Sequence, residues 1–128
     1  MDIGRLLELD ERAQSTVRDL PKRRFLFGQL AGQPGRPFRA VVGPRGAGKT
    51  VLLRQLRCEA KDAFYLSADT LAPGDSLTEI VRLLHDSYGA RRIFVDEIHF
   101  VDQFPRVLKE LYDFYEVEVW FTSSSALA

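Results

Sequence analysis

The chain has 128 residues, 45% of them hydrophobic and 28% charged, with a formal net charge of zero, so it reads as one ordinary globular domain able to bury about two-thirds of its unfolded surface. No run approaches the ~18 apolar residues of a membrane helix, and Met1-Asp2-Ile3-Gly4-Arg5 lacks the basic-then-apolar order of a signal peptide; a cytoplasmic protein without a membrane partner is expected. Residues 1–40 hold 8 basic and 5 acidic residues and residues 41–128 hold 10 and 13, too mild a split to build a basic face for nucleic acid.

Along the chain, residues 3–20 carry Ile3, Leu6, Leu7, Ala13, Val17 and Leu20 near helical spacing, and Pro21 ends the run. A short apolar piece, Phe25–Leu30, follows Lys22-Arg23-Arg24, and Gly32–Pro37 is a loop by composition. Residues 1–35 therefore form a helical lead-in and residues 36–128 the core. Within the core the pattern predicts strands at Phe38–Val42, Ala63–Ser67, Arg92–Asp96 and Val117–Thr122. It predicts helices at Lys49–Lys61, Ser76–Ser87 and Phe104–Tyr115. The start Ser76-Leu77-Thr78-Glu79 fits a capping box. Strands alternating with helix-length crossovers imply an α/β protein, a three-layer α/β/α fold with a parallel sheet. The single cysteine, Cys58, has no disulfide or metal companions and is read as a core residue.

The segment Gly43-Pro44-Arg45-Gly46-Ala47-Gly48-Lys49-Thr50 fills every fixed position of G-x-x-x-x-G-K-[ST], after a strand and opening a helix. Glycines allow the backbone to approach an anion closely, successive N–H groups form a nest, and the helix N-terminus adds partial positive charge. Lys49 is expected to reach the β- and γ-phosphates, and the Thr50 hydroxyl to ligate Mg2+. The nucleotide-binding stretch runs through Val51. Arg45 points to solvent or to a neighbouring subunit, with solvent favoured.

Ile93-Phe94-Val95-Asp96-Glu97 is an apolar strand ending in two acids. Ligands of parallel sheets lie at the carboxyl ends of the strands, the same edge as the phosphate loop. Asp96 is expected to hold Mg2+ through its water shell, and Glu97 to polarise the attacking water.

With these residues in view, the chain resembles a bacterial and archaeal family of AAA-type P-loop ATPases. That family includes the archaeal ATPases and is related to the AAA+ and STAND groups. The resemblance rests on the phosphate loop, on Phe94-Val95-Asp96-Glu97-Ile98-His99, on Val107–Asp113, and on Phe121-Thr122-Ser123-Ser124-Ser125-Ala126-Leu127. Gly46 stands where members commonly carry arginine, and Ser123 where they carry glycine. The resemblance implies ATP as ligand, Mg2+ as cofactor, and a polar γ-phosphate sensor after the fourth strand. The sequence has no asparagine, which leaves Thr122, Ser123 or Ser124; Thr122 is chosen. His99, which follows the acidic pair, is read as a surface residue in preference to one that transmits nucleotide state; His85, Arg91 and Arg92 are read as surface residues, Trp120 as packing, and Asp69 as either a turn former or a residue facing the site.

Sheets of such ATPases usually run 5-1-4-3-2, so the chain is expected to stop before the fifth strand, as a fragment or a short family member. No arginine finger follows the sensor, so slow turnover is expected. The leading function is an ATP-binding and ATP-hydrolysing module, a switch or motor acting on a protein or nucleic-acid partner, with a homo-oligomer left open. The alternatives are a non-hydrolysing nucleotide-binding interaction domain and a small-molecule P-loop kinase, though no arginine-rich lid is visible. A GTPase is disfavoured because its guanine reader needs asparagine.

Overall fold

Strands β1 (Phe38–Ala40), β2 (Ala63–Ser67), β3 (Arg92–Asp96) and β4 (Glu118–Phe121) form one sheet in the computed structural model, which describes residues 2–20, 38–41 and 48–123. Every pairing is parallel, and the order is β1-β4-β3-β2. Parallel neighbours need long crossovers. Helix α2 (Gly48–Glu59) supplies the first, α3 (Leu77–Tyr88) the second and α4 (Phe104–Tyr115) the third, while α1 (Ile3–Val17) precedes them all.

Pleating sends alternate strand residues to opposite faces. Ala63, Tyr65, Phe94 and Trp120 face one way and pack with Leu52, Leu53 and Leu56 of α2 and Ala13 of α1. Leu66, Ile93, Val95, Val119 and Phe121 face the other way, against Leu77, Ile80, Val81 and Leu84 of α3 and Leu108 and Leu111 of α4. The result is the α/β/α arrangement expected of a P-loop NTPase core.

Helix α1 closes the β2 edge of this sheet. An edge strand leaves outward N–H groups unpaired. Here the Tyr65 N–H donates to Oδ1 of Asp10 at 2.7 Å. The same carboxylate accepts from Arg57 Nε at 2.8 Å and Arg57 Nη2 at 2.9 Å. Asp10 and Arg57 are both largely buried side chains, so their fork-to-fork pairing ties α1, α2 and β2 together.

The element bounds differ from the sequence reading mostly at the ends. Helix α1 stops at Val17 rather than residue 20. Ser76 caps α3 by accepting from the Glu79 N–H at 3.3 Å, and Gly89 ends it at φ 68°, a left-handed conformation that favours glycine. Two 3-10 turns, Ala68–Thr70 and Ile98–Phe100, follow β2 and β3 without having been foreseen. They are too short to show a periodicity. Cys58 is a correction: it is exposed, because the buried stripe of α2 is Leu52, Leu53, Gln55 and Leu56. Phe25–Leu30, the loop at Gly32–Pro37 and Val42 lie outside the described residues.

Candidate functional site

The carboxyl edge of the sheet gathers the ends of β1, β3 and β4 with the start of α2. Val41, just past β1, donates its N–H to the Phe121 carbonyl at 2.7 Å. At the start of α2, the Lys49 ammonium donates to the Ser123 carbonyl at 2.7 Å. Both flanks of residues 42–47 thus meet the end of β4. Gly43, Pro44, Arg45, Gly46 and Ala47 themselves lie outside the described residues, as does Ser124. Gly48, Lys49, Thr50 and Val51 form the first turn of α2, and Lys49, Thr50 and Val51 are half-buried.

Asp96 ends β3 with only 2% of its surface exposed. A buried carboxylate must be hydrogen-bonded. Oδ2 accepts from the Tyr65 hydroxyl at 2.7 Å, and Oδ1 accepts from the Thr122 hydroxyl. Thr122 Oγ1 in turn accepts from the Glu97 N–H at 3.0 Å. Backbone bonds complete the stitch: Thr122 N–H to the Val95 carbonyl at 3.1 Å, and Ile98 N–H to the Thr122 carbonyl at 2.8 Å. Burial, followed by the charge of Asp96 and its hydrogen bond, pushes the Tyr65 phenol well above its ordinary range; Arg54, stacked over the ring at 5.1 Å, opposes the shift.

Glu97 leaves the sheet in the left-handed region, at φ 57° and ψ 48°. A non-glycine residue there costs about 1–2 kcal/mol, which the bonds to Thr122 on either side help to offset. The Glu97 Oε2 lies 3.2 Å from His99 Nε2, and His99 Nδ1 lies 3.2 Å from the Ser123 hydroxyl. His99 is therefore not the plain surface residue expected from sequence: it is half-buried between the ends of β3 and β4.

Hydrogen bonds join Thr122 to Asp96 and to the Glu97 N–H, and Lys49 reaches the next residue of the same strand end, Ser123. Tyr65 was missed, although a buried tyrosine hydroxyl needs a polar partner and its place in β2 was legible. Asp69 accepts from the Ser67 hydroxyl and lines a cleft of about 430 Å³ with Phe100 and Asp102. Arg91 and Arg92 are exposed at the opposite end of β3, and Trp120 packs on Phe94 with ring centroids 6.0 Å apart.

Among the described residues no group of three or more His, Cys, Asp or Glu side chains could hold a metal. A hydroxyl and a single carboxylate nonetheless suit Mg2+, which takes hard oxygen ligands and commonly uses one or two carboxylates plus substrate phosphates. No helix among the described residues is long and apolar enough to cross a membrane. No curated protein and no solved structure matches the chain. The family model described as an AAA domain matches residues 35–128, spanning all four strands and the edge just described, and the chain belongs to that family as a nucleotide-binding module of AAA type.

Proposed function

We propose that the chain binds MgATP at this edge and hydrolyses it, working in the cytoplasm as a switch or motor on a protein partner, a nucleic acid or further copies of itself. One observation carries the reading. Adjacent residues at the end of β4 take the Lys49 ammonium on the Ser123 carbonyl and the buried Asp96 carboxylate on the Thr122 hydroxyl, which joins the phosphate-loop helix to the acidic strand end. An exposed free thiol, Cys58, suits a reducing compartment.

In this reading the backbone N–H groups of the loop from Arg45 to Gly48 and the Lys49 ammonium hold the β- and γ-phosphates. The Thr50 hydroxyl and Asp96, through water, would hold Mg2+, which when bound neutralises charge developing on the phosphate oxygens. Tyr65 and Thr122 fix the Asp96 carboxylate for that task. Glu97 orients a water and takes its proton as the water oxygen bonds to the γ-phosphorus. The bond from that phosphorus to the β–γ bridging oxygen breaks, and ADP and inorganic phosphate leave. Thr122, the residue assigned as γ-phosphate sensor, would act through the two acids, since its hydroxyl gives its one proton to Asp96 and accepts from the Glu97 N–H.

Single-turnover hydrolysis by wild type, Glu97→Gln and Asp96→Ala tests the reading. Glu97→Gln should bind ATP and fail to hydrolyse it, since an amide keeps the size but cannot act as a base. Asp96→Ala should weaken Mg2+-dependent binding itself. Equal hydrolysis by wild type and Glu97→Gln contradicts the mechanism. Binding without turnover by wild type favours the non-hydrolysing interaction domain.

A further inference from the structure

A second line of contacts runs across the same edge, separate from the bonds that hold Asp96. It starts at the Lys49 ammonium on the Ser123 carbonyl at 2.7 Å. It continues from the Ser123 hydroxyl to His99 Nδ1 at 3.2 Å and from His99 Nε2 to Glu97 Oε2 at 3.2 Å. A carboxylate only accepts, so the proton at this contact sits on Nε2, and in the neutral ring Nδ1 then accepts from the Ser123 hydroxyl. The imidazole thus spans the carboxyl ends of the neighbouring strands β3 and β4. It lies at a tilt against the Phe100 ring, with centroids 4.7 Å apart, and the 3-10 turn Ile98–Phe100 that carries it is pinned by the Ile98 N–H on the Thr122 carbonyl. Its position is built rather than incidental to an exposed loop.

We propose that His99 is a positioning residue that couples phosphate occupancy at Lys49, through Ser123, to the orientation of the Glu97 carboxylate. The inference rests on the assignment of Glu97 as the base and deepens it. A phosphate is a charged and therefore stronger acceptor than the Ser123 carbonyl for the Lys49 ammonium, so a bound nucleotide draws on the hold that Lys49 has on Ser123. The Ser123 hydroxyl and carbonyl belong to one residue, so that change reaches Nδ1, and the rigid ring transmits it to the atom facing Glu97. His99 touches neither phosphate nor water in this scheme; it sets where the Glu97 carboxylate sits.

The test combines a spectroscopic signature with kinetics on the full chain. The protein has two histidines, and His85, engaged with Asp86 at 2.9 Å on α3, serves as the internal control. Saturating MgADP, with binding shown independently by thermal shift, should move the His99 ring-nitrogen NMR resonances and leave those of His85 in place. In hydrolysis, His99→Ala should lower kcat about 10- to 100-fold, the scale of a small misplacement of a reacting group, with KM within about threefold. His99→Gln, whose amide nitrogen reaches the Nε2 position, should recover much of the loss, and His99→Asn, which imitates only Nδ1, should not.

Unmoved His99 resonances at proven saturation overturn the proposal, whether or not the chain turns over. So does a His99→Ala kcat equal to or above wild type while Glu97→Gln is inactive; in that case Glu97 remains the base and His99 alone is misassigned. Full activity in Glu97→Gln sinks the underlying mechanism and this coupling with it.

Discussion

The Tyr65 hydroxyl donates to Oδ2 of Asp96 across 2.7 Å, joining neighbouring strands β2 and β3 inside the sheet's carboxyl edge. Removing the hydroxyl leaves one carboxylate oxygen short of its donor. Tyr65→Phe should therefore cost about 1.5–3 kcal/mol, the usual worth of a hydrogen bond to a charged group, measured by denaturant unfolding. The phenol's pKa lies above its ordinary 10 in the folded chain. Folding favours the protonated form, so this stabilisation is present below pH 10 and is lost as pH rises beyond it. Tyr65→Phe should flatten that alkaline loss and remove a component titrating above pH 10 from the phenolate absorbance titration. An unchanged titration would show that Tyr65 is not the shifted group.

The Asp10–Arg57 pair predicts a larger effect far from the nucleotide. Asp10→Ala strands a largely buried guanidinium and frees the Tyr65 N–H at the sheet edge. Breaking a buried pair in this way costs about 3–5 kcal/mol. Thermal or urea unfolding reads the loss directly, and a loss under ~1 kcal/mol would mean that α1 does not hold the β2 edge.

Much of this was legible in the sequence, and the exceptions have physical causes. The strands Ala63–Ser67 and Arg92–Asp96 and the helix Phe104–Tyr115 have the bounds their periodicity gives, because apolar runs and stripes are local signals. That Lys49 and the Asp96–Glu97 pair lie at one edge of the sheet is expected from two motifs plus the rule that parallel strands present one edge, whereas Thr122 was chosen through the family resemblance. The role of Asp10 was hidden, since an acid within an amphipathic helix looks solvated until the β2 edge arrives beside it. Tyr65 and His99 were hidden for a related reason: their partners lie 31 and 24 residues away, at Asp96 and Ser123, and only the sheet register brings them together. Cys58 was misread because one apolar residue in a helix says little until its angle to the stripe is counted.

Base selectivity should favour adenine. The sequence contains no asparagine from which to build the usual guanine reader, and the chain belongs to an AAA family. Competition binding should show labelled ATP displaced by unlabelled ATP at far lower concentration than by GTP. Equal displacement by the two would remove this expectation.

The central claim is that the start of α2 and the end of β3 form a nucleotide site in which Lys49 meets the phosphates. The most direct measurement is the nucleotide-dependent change in unfolding free energy of wild type and Lys49→Ala, each compared with its own nucleotide-free form because Lys49 also bonds Ser123. MgATP at 100 times Kd should stabilise wild type by ~2.7 kcal/mol, since a ligand that binds only the folded state adds that much, and the same concentration should leave Lys49→Ala essentially unshifted. No stabilisation of wild type, or an equal shift in both proteins, would contradict the site.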